Sequence, residues 1–228
     1  MSLDSGTRLG PYAQPPHRIL GPTLSPDGTR LIYTRLVRVG GIELWMSALS
    51  GGSPVRVVSD PKGSSYSGSW SPDGAWFVYW NILDCKNSLQ KVKTTGQATP
   101  EVVKADIKRT GGWVPVWSPT GDWILTAADG VKLISPDGKT ERQLSSAPAT
   151  VCAFSRDGAT VYCIRSGKLV SMPVAGGAEK DIAPIAPANT PASLLTPSLR
   201  MTLTPDGKSL TYSIVKTTQN LWMLSGIE

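Results

Sequence analysis

Acidic residues, one histidine and three cysteines are the side chains from which this chain could build a reactive site, so their spacing comes first. Of its 17 acidic residues, Asp27, Asp73, Asp137, Asp157 and Asp206 each precede a glycine in a turn-like tetrapeptide, and the rest are scattered singly. No pair has a spacing that would place two carboxylates for glycoside chemistry. Cys85, Cys152 and Cys163 form no C-x-x-C and have no neighbouring histidine, and His17 is the sole histidine, which argues against a Cys/His zinc site. The sequence contains no G-x-S-x-G elbow, Walker loop, dinucleotide fingerprint or EF-hand loop. The expectation is a noncatalytic protein without cofactor or metal; Asp84 and Asp106 are the loop carboxylates to test should hydrolysis be found.

Composition narrows the partners. The formal net charge is +6, with Arg30, Arg35, Arg38, Lys86, Lys91, Lys93, Lys104, Lys108 and Arg109 as the densest basic residues. Long cationic side chains on outer strands and loops ordinarily solubilise an antiparallel sheet, and no recognition helix or RNA-binding motif is present. No sequence-specific nucleic-acid partner is therefore expected. No apolar run approaches the roughly 20 residues of a membrane span, so the chain reads as soluble, without membrane insertion. Its 23 glycines and 19 prolines predict frequent turns and few long helices.

Those turns recur in register. Ser25-Pro26-Asp27-Gly28, Ser71-Pro72-Asp73-Gly74, Ser118-Pro119-Thr120-Gly121, Ser155-Arg156-Asp157-Gly158 and Thr204-Pro205-Asp206-Gly207 begin at steps of 46, 47, 37 and 49 residues. Proline presets φ at the second turn position, aspartate suits the third, and glycine takes the left-handed conformation. Leu24, Trp70, Trp117, Phe154 and Leu203 stand just before the turns; Leu31, Phe77, Ile124, Val161 and Leu210 stand three residues after the glycine. Apolar spacing of period two on both sides predicts strands.

A third strand follows in each unit, and in four of them a further turn and a fourth strand. Repeats of 40 to 50 residues with four strands are the spacing of propeller blades. The predicted fold is all-β: a five-bladed propeller of four-stranded antiparallel blades over residues 21–228. Residues 4–20 serve as lead-in, with Thr7 to Gly10 or His17 to Leu20 closing the ring, because an unpaired outer edge would otherwise remain. Met1 to Leu3 read as an appended start. Further blades upstream would make the ring larger. Such a closed ring is expected to be monomeric.

Cys152 and Cys163 flank the fourth turn. With a three-residue loop Ser155 pairs with Ala159, so Cys152 faces Tyr162 and the two sulfurs lie on opposite sheet faces; a four-residue loop makes them diagonal neighbours. The expectation is two small buried hydrophobes rather than a disulfide.

Blades such as "SWSPDGAWFVYW" and "LSPDGTRLIYT" resemble the TolB-type, WD-repeat-like propeller family, over about residues 20 to 228. The stretch "LTPDGKSLTYSIVKTTQNLWMLSGIE" looks like the closing blade of such repeats attached to bacterial regulatory proteins, notably serine/threonine kinases. The resemblance implies a binding module for a protein or small ligand, as sensor or scaffold of a larger bacterial protein. Its alternatives are a propeller gating a peptidase and a stand-alone periplasmic TolB-like binding protein, and the compartment leans extracytoplasmic.

In a four-stranded meander the turns after strands one and three share one face, and the more variable connections share the other. Loops on a rigid scaffold are where recognition resides. The expected binding face is Arg35, Arg38, Tyr66, Asp84, Lys86, Lys108, Arg109 and Trp113. The competing readings are plain solvation for the charged residues and a plug over the channel for Trp113.

Overall fold

The computed structural model describes residues 18–37, 41–58, 63–95, 98–108, 114–127, 129–185, 201–204 and 209–212. Every regular element among them is a strand. Blade I comprises β1 (Arg18–Leu24), β2 (Arg30–Val37), β3 (Gly41–Ala48) and β4 (Val55–Val58). Blade II comprises β5 (Ser64–Trp70), β6 (Trp76–Leu83), β7 (Lys86–Lys93) and β8 (Glu101–Lys104). Blade III holds β9 (Val116–Trp117), β10 (Ile124–Thr126), β11 (Val131–Ile134) and β12 (Glu141–Ser145). Blade IV holds β13 (Val151–Phe154), β14 (Thr160–Arg165), β15 (Lys168–Pro173) and β16 (Lys180–Pro184), and a further pair, β17 (Met201–Leu203) and β18 (Leu210–Tyr212), follows. Each of the four complete sheets is an antiparallel meander in chain order.

The repeat read from the sequence is the register of the sheets. Leu24 opposes Leu31, Trp70 opposes Phe77, Trp117 opposes Ile124, Phe154 opposes Val161 and Leu203 opposes Leu210. A bulge also recurs between the third and fourth strands, at Leu44/Trp45, Leu89/Gln90, Val131/Lys132 and Leu169/Val170. It sharpens the twist of each outer edge.

The serine turn explains why the tetrapeptide recurs. Ser25 donates to the Asp27 carboxylate at 2.5 Å, that carboxylate accepts the Thr29 amide at 3.0 Å, and Ser25 Oγ accepts the Arg30 amide at 2.9 Å. The same three bonds form at Ser71–Asp73, at Ser155–Asp157, and at Ser135–Asp137 between β11 and β12. Two side chains thus satisfy the amides that the tight turn leaves unpaired. The Ser25 hydroxyl, then the Thr29 amide and hydroxyl, hold the Asp27 carboxyl at about 2. Asp73, Asp137 and Asp157 are lowered by the serine of their own turn first and by the amide two residues on second. In blade III Thr120 replaces the carboxylate, and its hydroxyl lies 3.2 Å from Ser118 Oγ.

The core lies between successive blades. Phe77 and Tyr79 face blade I, packing with Ile32, Leu44 and Val58, while Val78 and Trp80 on the same strand face blade III, packing with Trp117, Ile124 and Ile134. A strand buried on both faces therefore reads as a continuous apolar run, and residues 77 to 81 are all buried. The next layer joins Leu125 and Leu133 to Phe154, Val161 and Met172, and the last joins Ala153 and Leu169 to Met201. Trp70 and Trp117 are under 10% exposed, whereas Leu24, the equivalent residue of the first blade, is 51% exposed. No described blade precedes it.

Three expectations are revised. Arg18 to Leu20 are not a separate closing strand: they continue β1 and pair with Leu36, Arg35 and Thr34. The other closing segment, Thr7 to Gly10, lies outside the described residues, as does the end of the chain. Cys152 and Cys163 oppose one another directly and form a disulfide, with 4.1 Å between their Cα atoms. Ser155 pairs with Thr160, so the loop has four residues, and that loop sets the two cysteines directly opposite on one face rather than diagonal. The close approach is that of a non-hydrogen-bonded antiparallel pair.

Candidate functional site

One face of the molecule is occupied by turns. A Cβ on Gly74 would stand 3.7 Å from Pro26, one on Gly121 3.6 Å from Pro72, and one on Gly158 3.5 Å from Pro119. In blades II, III and IV the glycine of the turn after the first strand thus rests on the proline of the corresponding turn in the preceding blade, whereas Gly138 of the Ser135 turn lies against the Val103 backbone of β8. These glycines have φ between 69° and 87°, so the conformation and the contact both favour the absence of a side chain.

Cations that the sequence leaves as general surface charge also stitch neighbouring blades. Arg30 of blade I lies over the Trp70 ring and donates to the Gly74 carbonyl at 3.2 Å and to Thr94 Oγ1 at 3.3 Å, all in blade II. Arg142 of blade III lies over Trp123 and donates to the Val174 carbonyl at 2.6 Å in blade IV. Arg165 reaches back to Ser145 Oγ at 2.9 Å and pairs with Glu179.

The opposite face carries the connections after the second and fourth strands. Some are short. Leu83 pairs with Lys86 and Arg165 with Lys168, leaving two-residue turns whose residues, Asp84, Cys85, Ser166 and Gly167, all have positive φ. These are the hairpin turns that match strand twist. A longer connection follows Lys104, and of it residues 105–108 and 114–115 are described.

The residues expected on this face have different fates. Asp84 occupies the first position of its two-residue turn, and Lys86 is exposed beside it. Tyr66 is part-buried against the layer formed by Val78, Trp80 and Trp117. Arg35 stacks on the Trp45 ring at 4.6 Å, with its Nε buried and without an acceptor. Trp45 in turn donates to Glu43, which also accepts Arg56. Arg38, Arg109 and Trp113 lie outside the described residues. Lys108 lines a cleft.

That cleft, of about 410 Å³, opens between blades II and III. Blade II supplies the end of β8 and the segment after it, from Lys104 to Lys108; blade III supplies Thr126, Asp129, Lys132, Ile134 and Glu141. A ladder of ion pairs crosses it: Asp129 to Lys132 at 3.3 Å, Lys132 to Glu141 at 3.3 Å, and Glu141 to Lys104 at 3.1 Å. Burial alone would raise the Glu141 carboxyl, but hydrogen bonds from Lys104 and Lys132 outweigh it and hold the group below its ordinary value. Burial alone would lower Lys132, but Asp129 and Glu141 outweigh it and raise the ammonium. Glu141 and Lys132, at the centre of the ladder, are therefore both charged near neutral pH.

Sequence reasoning named Lys108 and missed Glu141, Asp129 and Lys132. Their partners come from another blade or across a turn, and no local spacing signals that. Among the described residues no three of His, Cys, Asp and Glu converge as metal ligands, and no helix is long and apolar enough to cross a membrane.

No family model matches the chain. Among solved structures, TolB from Acinetobacter baumannii is similar with a TM-score of 0.61 at 15% identity, over 76% of this chain and 45% of that one. A protein described as a TolB from Agrobacterium tumefaciens gives 0.55 at 17% identity, over 75% of this chain and 82% of that one. A chain of the nidogen/laminin complex gives 0.59 at 14% identity, over 73% and 65%. The chain spans less than half the length of the Acinetobacter TolB it matches. The likeness is one of fold: four-stranded antiparallel blades arranged as in the TolB-type β-propellers.

Proposed function

We propose that this chain is a noncatalytic propeller module that binds a protein or small ligand on the face opposite its serine turns, as the sensor or scaffold part of a larger bacterial regulatory protein. The observation that carries the reading is the asymmetry of the two faces. On one, turn side chains satisfy their own backbone and the turns stack on one another. On the other, Lys86, Asp106 and Lys108 are exposed, and Asp106 and Lys108 line one wall of the charged cleft between blades II and III. The propeller likeness is compatible with binding, since one neighbour is a chain of the nidogen/laminin complex, and fold alone does not select a partner.

A second reading, a stand-alone TolB-like binding protein outside the cytoplasm, is favoured by the Cys152–Cys163 disulfide. Such bonds persist in oxidising compartments. Both readings share the binding face and differ in what else the parent protein carries.

Photo-crosslinking residues placed at positions 86 and 108, and for comparison at 29 and 139 on the turn face, test the reading in cells of the source organism. Partner adducts are expected from 86 and 108. Adducts formed mainly from 29 and 139 would overturn it.

A further inference from the structure

The cleft between blades II and III has a charge inventory that selects among ligands. It is lined by three lysines, Lys104, Lys108 and Lys132, and three carboxylates, Asp106, Asp129 and Glu141. A simple anion entering it meets three carboxylates, and a simple cation meets three lysines, so neither gains from the site as a whole. Four of the six are already committed to the ladder Asp129–Lys132–Glu141–Lys104. Lys108 and Asp106 are not: among the described residues neither has an opposite charge within ion-pair distance, and both are exposed.

Between these two in sequence stands Ile107, which is part-buried against the inter-blade layer and lines the cleft together with Ile134 and Ala105. Asp106 has a φ of 53°, a conformation uncommon for a non-glycine residue, and it separates β8 from this segment. The cleft therefore presents an uncommitted cation and an uncommitted carboxylate that flank the apolar Ile107 in sequence, on a wall whose other charges hold one another in place. Its volume falls within the range of sites for small ligands.

We infer that this cleft binds a small zwitterion of the amino-acid or short-peptide class, its carboxylate on Lys108 and its ammonium on Asp106, with a compact apolar side chain against the part-buried Ile107. The inference rests on the binding-module reading and specifies its ligand. The bonds are charge-assisted and partly solvent-exposed, so affinity is modest and falls with added salt.

The test is an amide chemical-shift titration of the labelled chain with alanyl-leucine, N-acetyl-alanyl-leucine and alanyl-leucine amide. The free dipeptide is expected to produce saturable shifts in residues 105–108 and 130–132. Each blocked peptide, which lacks one of the two charges, is expected to bind about tenfold more weakly, the effect of losing one charged hydrogen bond. Lys108→Ala and Asp106→Asn, both exposed, should lose a similar factor with little change in melting temperature. Absence of saturable shifts at these amides overturns the inference. So does equal binding of the acetylated peptide, which would assign the cleft to the C-terminus of a protein chain. Either result leaves the crosslinking comparison between the two faces to judge the binding module separately.

Discussion

The guanidinium of Arg30 lies 4.9 Å over the indole of Trp70, joining the first blade to the second. The same group donates to Gly74 and Thr94 of the second blade, so one side chain holds three points of its neighbour. Arg30→Ala is expected to lower stability by about 2 kcal/mol, combining a part-buried cation–π contact with charged hydrogen bonds. Arg30→Lys should recover a fraction, because a point charge cannot stack and fork at once. Urea denaturation midpoints measure both.

Acid should weaken the fold through the turn carboxylates. Asp27 is held at about 2 in the folded chain, and Asp73, Asp137 and Asp157 are lowered in the same way. A depressed folded-state value means that the stabilisation is complete above the ordinary aspartate range near 4 and is lost as pH falls through the folded value. Stability should therefore decline most steeply between about pH 4 and pH 2. Asp73→Asn should be less stable at neutral pH and show a shallower decline in that window. Thr120→Asp, which restores the carboxylate missing from the third blade, should steepen it. Denaturation series across pH measure both slopes.

Gly68 sits in β5 where any Cβ would overlap the Val78 carbonyl of the paired strand. Gly68→Ala must displace backbone rather than a flexible side chain, so a loss of about 3 kcal/mol is expected. Gly52→Ala, with φ of 102° but open space around it, should cost less, and thermal unfolding of the two variants separates steric overlap from backbone strain.

Much of this architecture is legible in the sequence because the turn chemistry is local. Ser, Asp and Gly within four residues close a hairpin by themselves, and the flanking aromatics then set the register. The disulfide was not read from the sequence, although the repeat carries its register: Phe154 and Val161 hold the same places relative to their turn as Trp70 and Phe77, and that pairing sets Cys152 opposite Cys163, whereas counting loop residues placed the sulfurs on opposite faces or diagonally. Asp84 was harder, since a carboxylate in a left-handed turn has the same letter as one on a binding face. The ladder through Glu141 was beyond reach, because Lys104 and Glu141 are 37 positions apart and meet through the packing of two blades.

The bond between Cys152 and Cys163 closes a short loop, with a sequence separation of 11. Thiol titration of the unfolded, unreduced chain should find one reactive cysteine, Cys85, and three after reduction. Reduction, or a Cys152→Ala/Cys163→Ala pair, should lower stability by about 2 to 3 kcal/mol. Three thiols without reductant would contradict the pairing.

The division of the molecule into a structural face and a binding face is tested most directly by affinity, once crosslinking supplies a partner. Lys86→Glu and Lys108→Glu reverse exposed charges on one face; Lys139→Glu reverses a charge that is 82% exposed on the other. The account predicts that the first two each weaken the dissociation constant by about tenfold, with the third changing it less than about twofold. Equal effects, or a loss confined to Lys139→Glu, would contradict it.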